Sequence, residues 1–139
     1  MNEKELQEKM LIYRTLESRL EMFTRQRELI NNKLVEIVST ISSIDELGKK
    51  QENILFKIGS EAYAYGDISD KNEILVDVGA GIILEKSIEE GKETLNKRKH
   101  DMENAFKEVQ TNIAQISNAM GQLGPEINEL IEKSQNPTG

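Results

Sequence analysis

The sequence predicts a mainly helical α+β chain: a long antiparallel two-helix coiled coil whose helices are joined by two β-hairpins. Three observations predict it. Apolar residues recur every seventh position over the first and last thirds of the 139 residues. Five of the nine glycines fall between positions 48 and 81. In that same central stretch the apolar period drops to two, the period of a strand.

The first segment, 1–48, reads as a coiled-coil helix. Leu6, Tyr13, Leu20, Arg27, Leu34 and Ile41 form one series of seam positions. Lys9, Leu16, Phe23, Ile30, Ile37 and Ile44 form the other. Ten of these twelve positions are apolar over six heptads, which is the pattern of a coiled-coil seam. Gly48 follows where a helix C-cap is expected.

Residues 53–86 read as two hairpins. Ile54, Phe56 and Ile58 alternate, as do Tyr63 with Tyr65, Ile74 with Val76 and Val78, and Ile82 with Leu84. Gly59-Ser60 is placed as the first hairpin turn and Gly79-Ala80-Gly81 as the second. Ser69-Asp70-Lys71-Asn72 is the polar connection between them.

The last segment, 87–135, reads as the second helix. Ser87-Ile88-Glu89-Glu90 has the capping-box spacing of a helix start. Ile88, Leu95, Met102, Val109, Ile116, Leu123 and Leu130 then repeat without exception. The companion series is Lys92, Lys99, Phe106, Ile113, Met120 and Ile127. Gly124-Pro125 is expected to kink the helix and start a short last segment, since proline lacks an N–H and crowds the preceding turn.

Two helices of equal length, about 70 Å each at 1.5 Å per residue, cannot be paired parallel by so short an insert. They are expected to run antiparallel, as one structural unit with both termini at the end away from the hairpins. Paired seam positions then add to 136, as in Leu6 with Leu130, Leu16 with Met120, Leu20 with Ile116 and Ile41 with Leu95. Shifts by whole heptads preserve such layers, so periodicity alone leaves the register open; the matched helix ends choose 136.

Composition removes several function classes. A net charge of −7 is wrong for a nucleic-acid surface, which must be basic to displace counterions. With no cysteine and a single histidine, His100, neither a disulfide nor a metal site based on those residues is expected. Gly79-Ala80-Gly81 lacks the strand–turn–helix context of a dinucleotide site. No catalytic residue, cofactor or metal is expected. The longest apolar run, Val78 to Leu84, is far short of the ~20 residues that span a bilayer. The N-terminus opens directly into a charged helical pattern, and a cytoplasmic protein without membrane contact is expected.

Helix, two hairpins and a matched second helix resemble the plan of an alpha-class prefoldin subunit of the archaeal type, over essentially the whole chain. The resemblance is strongest in Glu73-Ile74-Leu75-Val76-Asp77-Val78-Gly79-Ala80-Gly81 and in Leu123-Gly124-Pro125-Glu126. The first hairpin lacks the proline that family members often carry in its first strand.

The resemblance implies an ATP-independent holding chaperone with two alpha and four beta-class subunits. Their hairpins would form an oligomeric β-barrel, and their coiled-coil tips would hold non-native polypeptides for a group II chaperonin. The residues expected to carry oligomerisation are Ile54, Phe56, Ile58, Tyr63, Tyr65, Ile74, Val76, Val78, Ile82 and Leu84. Those expected to touch non-native protein are Leu6, Met10, Leu11, Tyr13, Leu123, Ile127, Leu130 and Ile131, because apolar residues at the free helix ends exceed what two helices can bury. A filament-forming or scaffolding relative is the alternative.

Overall fold

A computed structural model of the protein describes residues 2–47, 49, 52–69 and 72–135. In chain order the elements are α1 (Asn2–Leu47), β1 (Ile54–Gly59), β2 (Ala62–Gly66), β3 (Glu73–Asp77), β4 (Ile83–Ser87) and α2 (Ile88–Gln135). The expected helix–hairpin–hairpin–helix order is therefore present. The helix cap expected at Gly48 and the Asp70-Lys71 part of the inter-hairpin connection lie outside the described residues.

The chain divides into two compact units. The terminal unit joins Met1–Asn32 to Asn104–Gly139, and the hairpin unit is Lys33–Glu103. Each helix contributes to both.

In the terminal unit the described residues form a two-helix pair. Val109, Ile116, Ile127 and Leu130 of α2 are buried, while Leu6, Tyr13, Leu16, Leu20, Phe23 and Ile30 of α1 are half-buried. Two cylinders meet along one stripe, so little can be enclosed on all sides. Two cross-helix contacts accompany the seam. Lys9 Nζ reaches Glu126 Oε2 at 2.9 Å, and Arg27 Nη1 donates to Gln110 Oε1 at 2.8 Å.

The helix does not restart at Gly124-Pro125, contrary to the sequence expectation; α2 is continuous to Gln135 with Pro125 inside it. Proline costs the bond to the carbonyl four residues earlier and presses its ring there. That earlier residue is Gly121, where an added Cβ would meet nothing within 4 Å. Buried Ile127 and Leu130 hold the following turn in place.

The hairpin unit has a third element to close its core. Ile37, Ile44 and Leu95 form a buried cluster, and Ile41, Ile74, Ile88 and Met102 pack against it. Ile74 comes from β3, which lies across the first turns of α2. Gly91 makes that approach possible: a Cβ there would fall 2.3 Å from Ile74 Cδ1 and 3.8 Å from Val76 Cγ2. Backbone contacts fix the same junction. Ile88 N–H donates to Asn72 O at 3.0 Å, and the Arg98 guanidinium donates to the Asp77 carbonyl. Ser87 ends β4 and caps α2 at once, its Oγ accepting from Glu90 N–H at 3.1 Å, as the capping-box spacing predicted.

The two hairpins form separate two-stranded antiparallel sheets. β3 pairs with β4 in unbroken register from Glu73↔Ser87 to Asp77↔Ile83. Its turn passes through positive φ at Gly79, Ala80 and Gly81, with Asp77 Oδ1 accepting from Gly79 N–H at 2.8 Å. β1 pairs with β2 from Ile54↔Gly66 to Gly59↔Ala62 with an irregularity between Lys57 and Gly59. The first turn is thus Ser60-Glu61, one residue later than expected, because the irregularity takes Ile58 out of the ladder and leaves Gly59 paired. Val78 and Ile82 likewise sit just outside their strands, bonded to each other from Val78 N–H to Ile82 O at 2.9 Å.

Candidate protein-binding surfaces

Paired residues on antiparallel strands share a face, so each register decides which side chains stay outside. In the second hairpin, Ile74↔Lys86 and Val76↔Leu84 form one face, and Leu75↔Glu85 and Asp77↔Ile83 form the other. Ile74 and Val76 point toward α2; Val76 is 7% exposed. Leu75 at 73% and Ile83 at 59% are left in solvent. Leu84, on the face of Val76, is also exposed, as are Val78 and Ile82 just beyond the strands.

In the first hairpin, Leu55↔Tyr65 and Lys57↔Tyr63 make one face. Its apolar members are all exposed, Tyr65 at 79%. On the other face the Phe56 ring lies over Gly66, where a Cβ would come within 2.7 Å of it. Ile54 is half-buried and Ile58 exposed. Beside this hairpin Val35 and Val38 of α1 are exposed and line an open groove together with Ile54, Leu55 and Phe56.

Of the residues expected from sequence to mediate oligomerisation, Ile74 and Val76 therefore pack inside their own chain, Ile54 is intermediate, and Phe56, Ile58, Tyr63, Tyr65, Val78, Ile82 and Leu84 are open. Leu55, Leu75 and Ile83 are equally open and escaped the alternation pattern. Their signal was present in Ile54-Leu55-Phe56, Ile74-Leu75-Val76 and Ile82-Ile83-Leu84, unbroken apolar runs of the kind that strands covered on both faces show.

The free helix ends offer a second surface. Leu11 is 67% and Ile12 52% exposed, whereas Leu6, Met10, Tyr13, Leu123 and Ile131 are half-buried. Ile127 and Leu130 are buried in the seam. Met10, Tyr13 and Ile127 border a shallow pocket at Gly124, with Arg14, Glu17 and Asn128 around it. Lys9 lies between Glu126 and Glu5 Oε1, 3.6 Å away, and its ammonium is held above the ordinary 10.5, first by the hydrogen bond to Glu126. In the hairpin unit Lys92 pairs with Asp45 and is raised in the same way, with that hydrogen bond the leading cause.

Among the described residues no group of three or more His, Asp or Glu side chains could hold a metal ion, and no helix is long and apolar enough to cross a membrane. No buried side-chain polar atom there lacks a hydrogen-bond partner. The apolar surfaces of the hairpins and of Leu11 and Ile12 are open.

Comparison with known proteins bears on family and fold. The model of the family described as "Prefoldin subunit" matches residues 16–133. Prefoldin subunit alpha of Pyrococcus horikoshii is 30% identical over 135 residues, 95% of this chain and 91% of that one. Prefoldin subunit alpha of Methanobrevibacter smithii is 24% identical over 116 residues, 83% of this chain and 80% of the other. Among solved structures, a chain of filamentous PFD from Methanocaldococcus jannaschii, determined by cryo-EM, superposes with a TM-score of 0.55. It covers 87% of this chain and 96% of its own at 19% identity, a likeness of fold.

Proposed function

The chain belongs to the prefoldin family, and from that premise we propose that it is an alpha-class subunit of an ATP-independent holding chaperone. The family is one of oligomeric, non-enzymatic chaperones. In the proposed assembly two copies join four beta-class subunits through their hairpins. The helix ends hold non-native chains and pass them to a group II chaperonin in the cytoplasm. No catalysis is assigned to the chain.

The observation that carries this reading is the exposure of apolar residues on both hairpins. Leu75, Ile83, Leu55 and Tyr65 are each more than half open. Two-stranded sheets are marginal alone and their free edges seek another strand. A subunit interface satisfies both needs. Leu11 and Ile12 support capture at the other surface, since neither is used by the seam.

The test is assembly with a beta-class partner. Leu75→Asp with Ile83→Asp places charge where a neighbour would bury it, at a cost of several kcal/mol. Size measurement should show the hexamer lost while circular dichroism shows helicity kept, because neither residue faces α2. A variant hexamer of unchanged mass would remove the hairpins from the interface. The second reading, a filament-forming or scaffolding prefoldin, draws on the exposure of both hairpins in one chain and on the filamentous relative. It expects the chain alone to give masses that climb with concentration.

A further inference from the structure

We infer that the register of the helix pair is chosen by three polar contacts across the seam, Lys9–Glu126, Arg27–Gln110 and Lys92–Asp45, and not by its apolar layers. All four non-apolar seam positions in the chain are basic: Lys9, Arg27, Lys92 and Lys99. Three of them find a cross-helix partner, and the partners' numbers add to 135, 137 and 137. Each is one step from the apolar layer of the 136 register, so the long side chain leaves the seam sideways and keeps its stem packed.

The interior apolar layers do not discriminate, although Leu6 and Leu95 lose apolar partners in the 143 register and Leu130 does in the 129 register. Moved by one heptad, Leu16 faces Ile127 or Ile113 where the 136 register pairs it with Met120, and Leu20 faces Leu123 or Val109 where that register pairs it with Ile116. Every substitute is an aliphatic residue of similar size. The polar positions respond differently. In the register with paired numbers near 143, Lys9 meets Lys133, Arg27 meets Ser117, and the partner of Lys92 would lie at 52, beyond the end of α1. In the register near 129, Lys9 meets Ala119 and Lys92 meets Val38, and only Arg27 gains, from Glu103. Each shift thus leaves two or three seam cations without an acceptor.

Exposed ion pairs contribute little, which argues against a purely attractive account. The discrimination comes from the alternatives: a cation kept at a seam position with no counter-charge, or beside a second lysine, is unfavourable whatever the apolar layers gain. Register matters to function because one heptad displaces the helices by about 10 Å along each other. That would change which apolar residues stand free at the helix ends. The inference holds whatever the assembly captures.

Cysteine pairs in the full chain read the register directly. Leu16→Cys with Met120→Cys reports 136, with Ile127→Cys reports 143, and with Ile113→Cys reports 129. Disulfides form when Cα atoms lie about 4.4–6.8 Å apart, which neighbouring layers do not satisfy together. Under mild oxidation, the native background should favour the 16–120 bond over each shifted bond by roughly tenfold or more. Lys9→Leu, Arg27→Leu and Lys92→Leu together make the seam wholly apolar at those points. The preference should then fall to about threefold or less, with helicity undiminished. Lys133→Glu alone should raise the 16–127 bond, by giving Lys9 an acceptor in that register. A triple variant that keeps the native preference, with Lys133→Glu silent, would overturn the inference and leave the helix ends as what sets the register.

Discussion

The two units are built on the same two helices and bury α1 to different depths. In the terminal unit, α1 contributes six apolar seam residues and all remain half-buried, while its partner α2 buries Val109, Ile116, Ile127 and Leu130. In the hairpin unit the same helix buries Ile37 to 4% and Ile44 to 6%. The added element is β3, whose Ile74 sits on Gly91 and joins the Ile37–Ile44–Leu95 cluster. A second helix buries one stripe of α2, and β3 adds the cover that buries α1. At the helix ends Leu11 and Ile12 stay accessible.

The most direct test is at the contact that makes the units differ. Gly91→Val would drive a Cβ into Ile74, and overpacking of this kind costs about 1–3 kcal/mol even where the core can adjust. Thermal unfolding should show a clear loss, and hydrogen exchange should localise it to β3, β4 and the start of α2. Gly121→Ala, at a helical glycine with open space around it, should instead stabilise by up to about 1 kcal/mol. Equal losses at the two glycines would deny β3 its special place.

Truncation along α1 sharpens the same contrast at comparable amplitude. Ile37→Ala should cost about 2–4 kcal/mol, within the range for buried aliphatic residues. Ile30→Ala removes the same atoms from a half-buried position and should cost roughly half as much. Denaturant melts of the two variants decide it; matching losses would mean the units are equally well closed.

The smallest effect is electrostatic and shared by both units. Lys9 and Lys92 have ammonium groups raised above 10.5 by their acceptors. A raised folded-state value contributes stability that is complete below the unfolded value and is lost as pH climbs through the folded one. The helix pair should therefore soften only above about pH 10.5, and Lys9→Met with Lys92→Met should flatten that part of the profile. An unchanged alkaline profile in the double variant would remove these contacts from the balance.

The elements and their order were legible because heptads and alternation are different periods, and Ser87 announced the second helix. Which hairpin face would turn inward was not. In Ile74-Leu75-Val76 both faces are apolar, and the choice rests on Gly91, fifteen residues past Val76, whose missing side chain receives Ile74. The irregularity at Ile58 is equally silent in sequence, as is the continuity of α2 through Pro125. At the free ends, Leu11 could be picked out by its place off the seam. Ile127 and Leu130 are seam residues, and their burial follows from the heptad pattern itself.

The central claim is that open helix ends hold non-native chains while the hairpins hold the assembly together. Light scattering of a denatured test protein, with and without the assembled complex, measures the first half directly. Leu11→Ser with Ile12→Ser removes two exposed side chains whose contacts are each worth about 1–2 kcal/mol, amplified when several arms engage one chain. With equivalent apolar residues removed from the partner's tips, suppression of aggregation should fall sharply. Complex mass should be unchanged, and added ATP should make no difference. Undiminished suppression by the stripped complex would contradict capture at the helix ends.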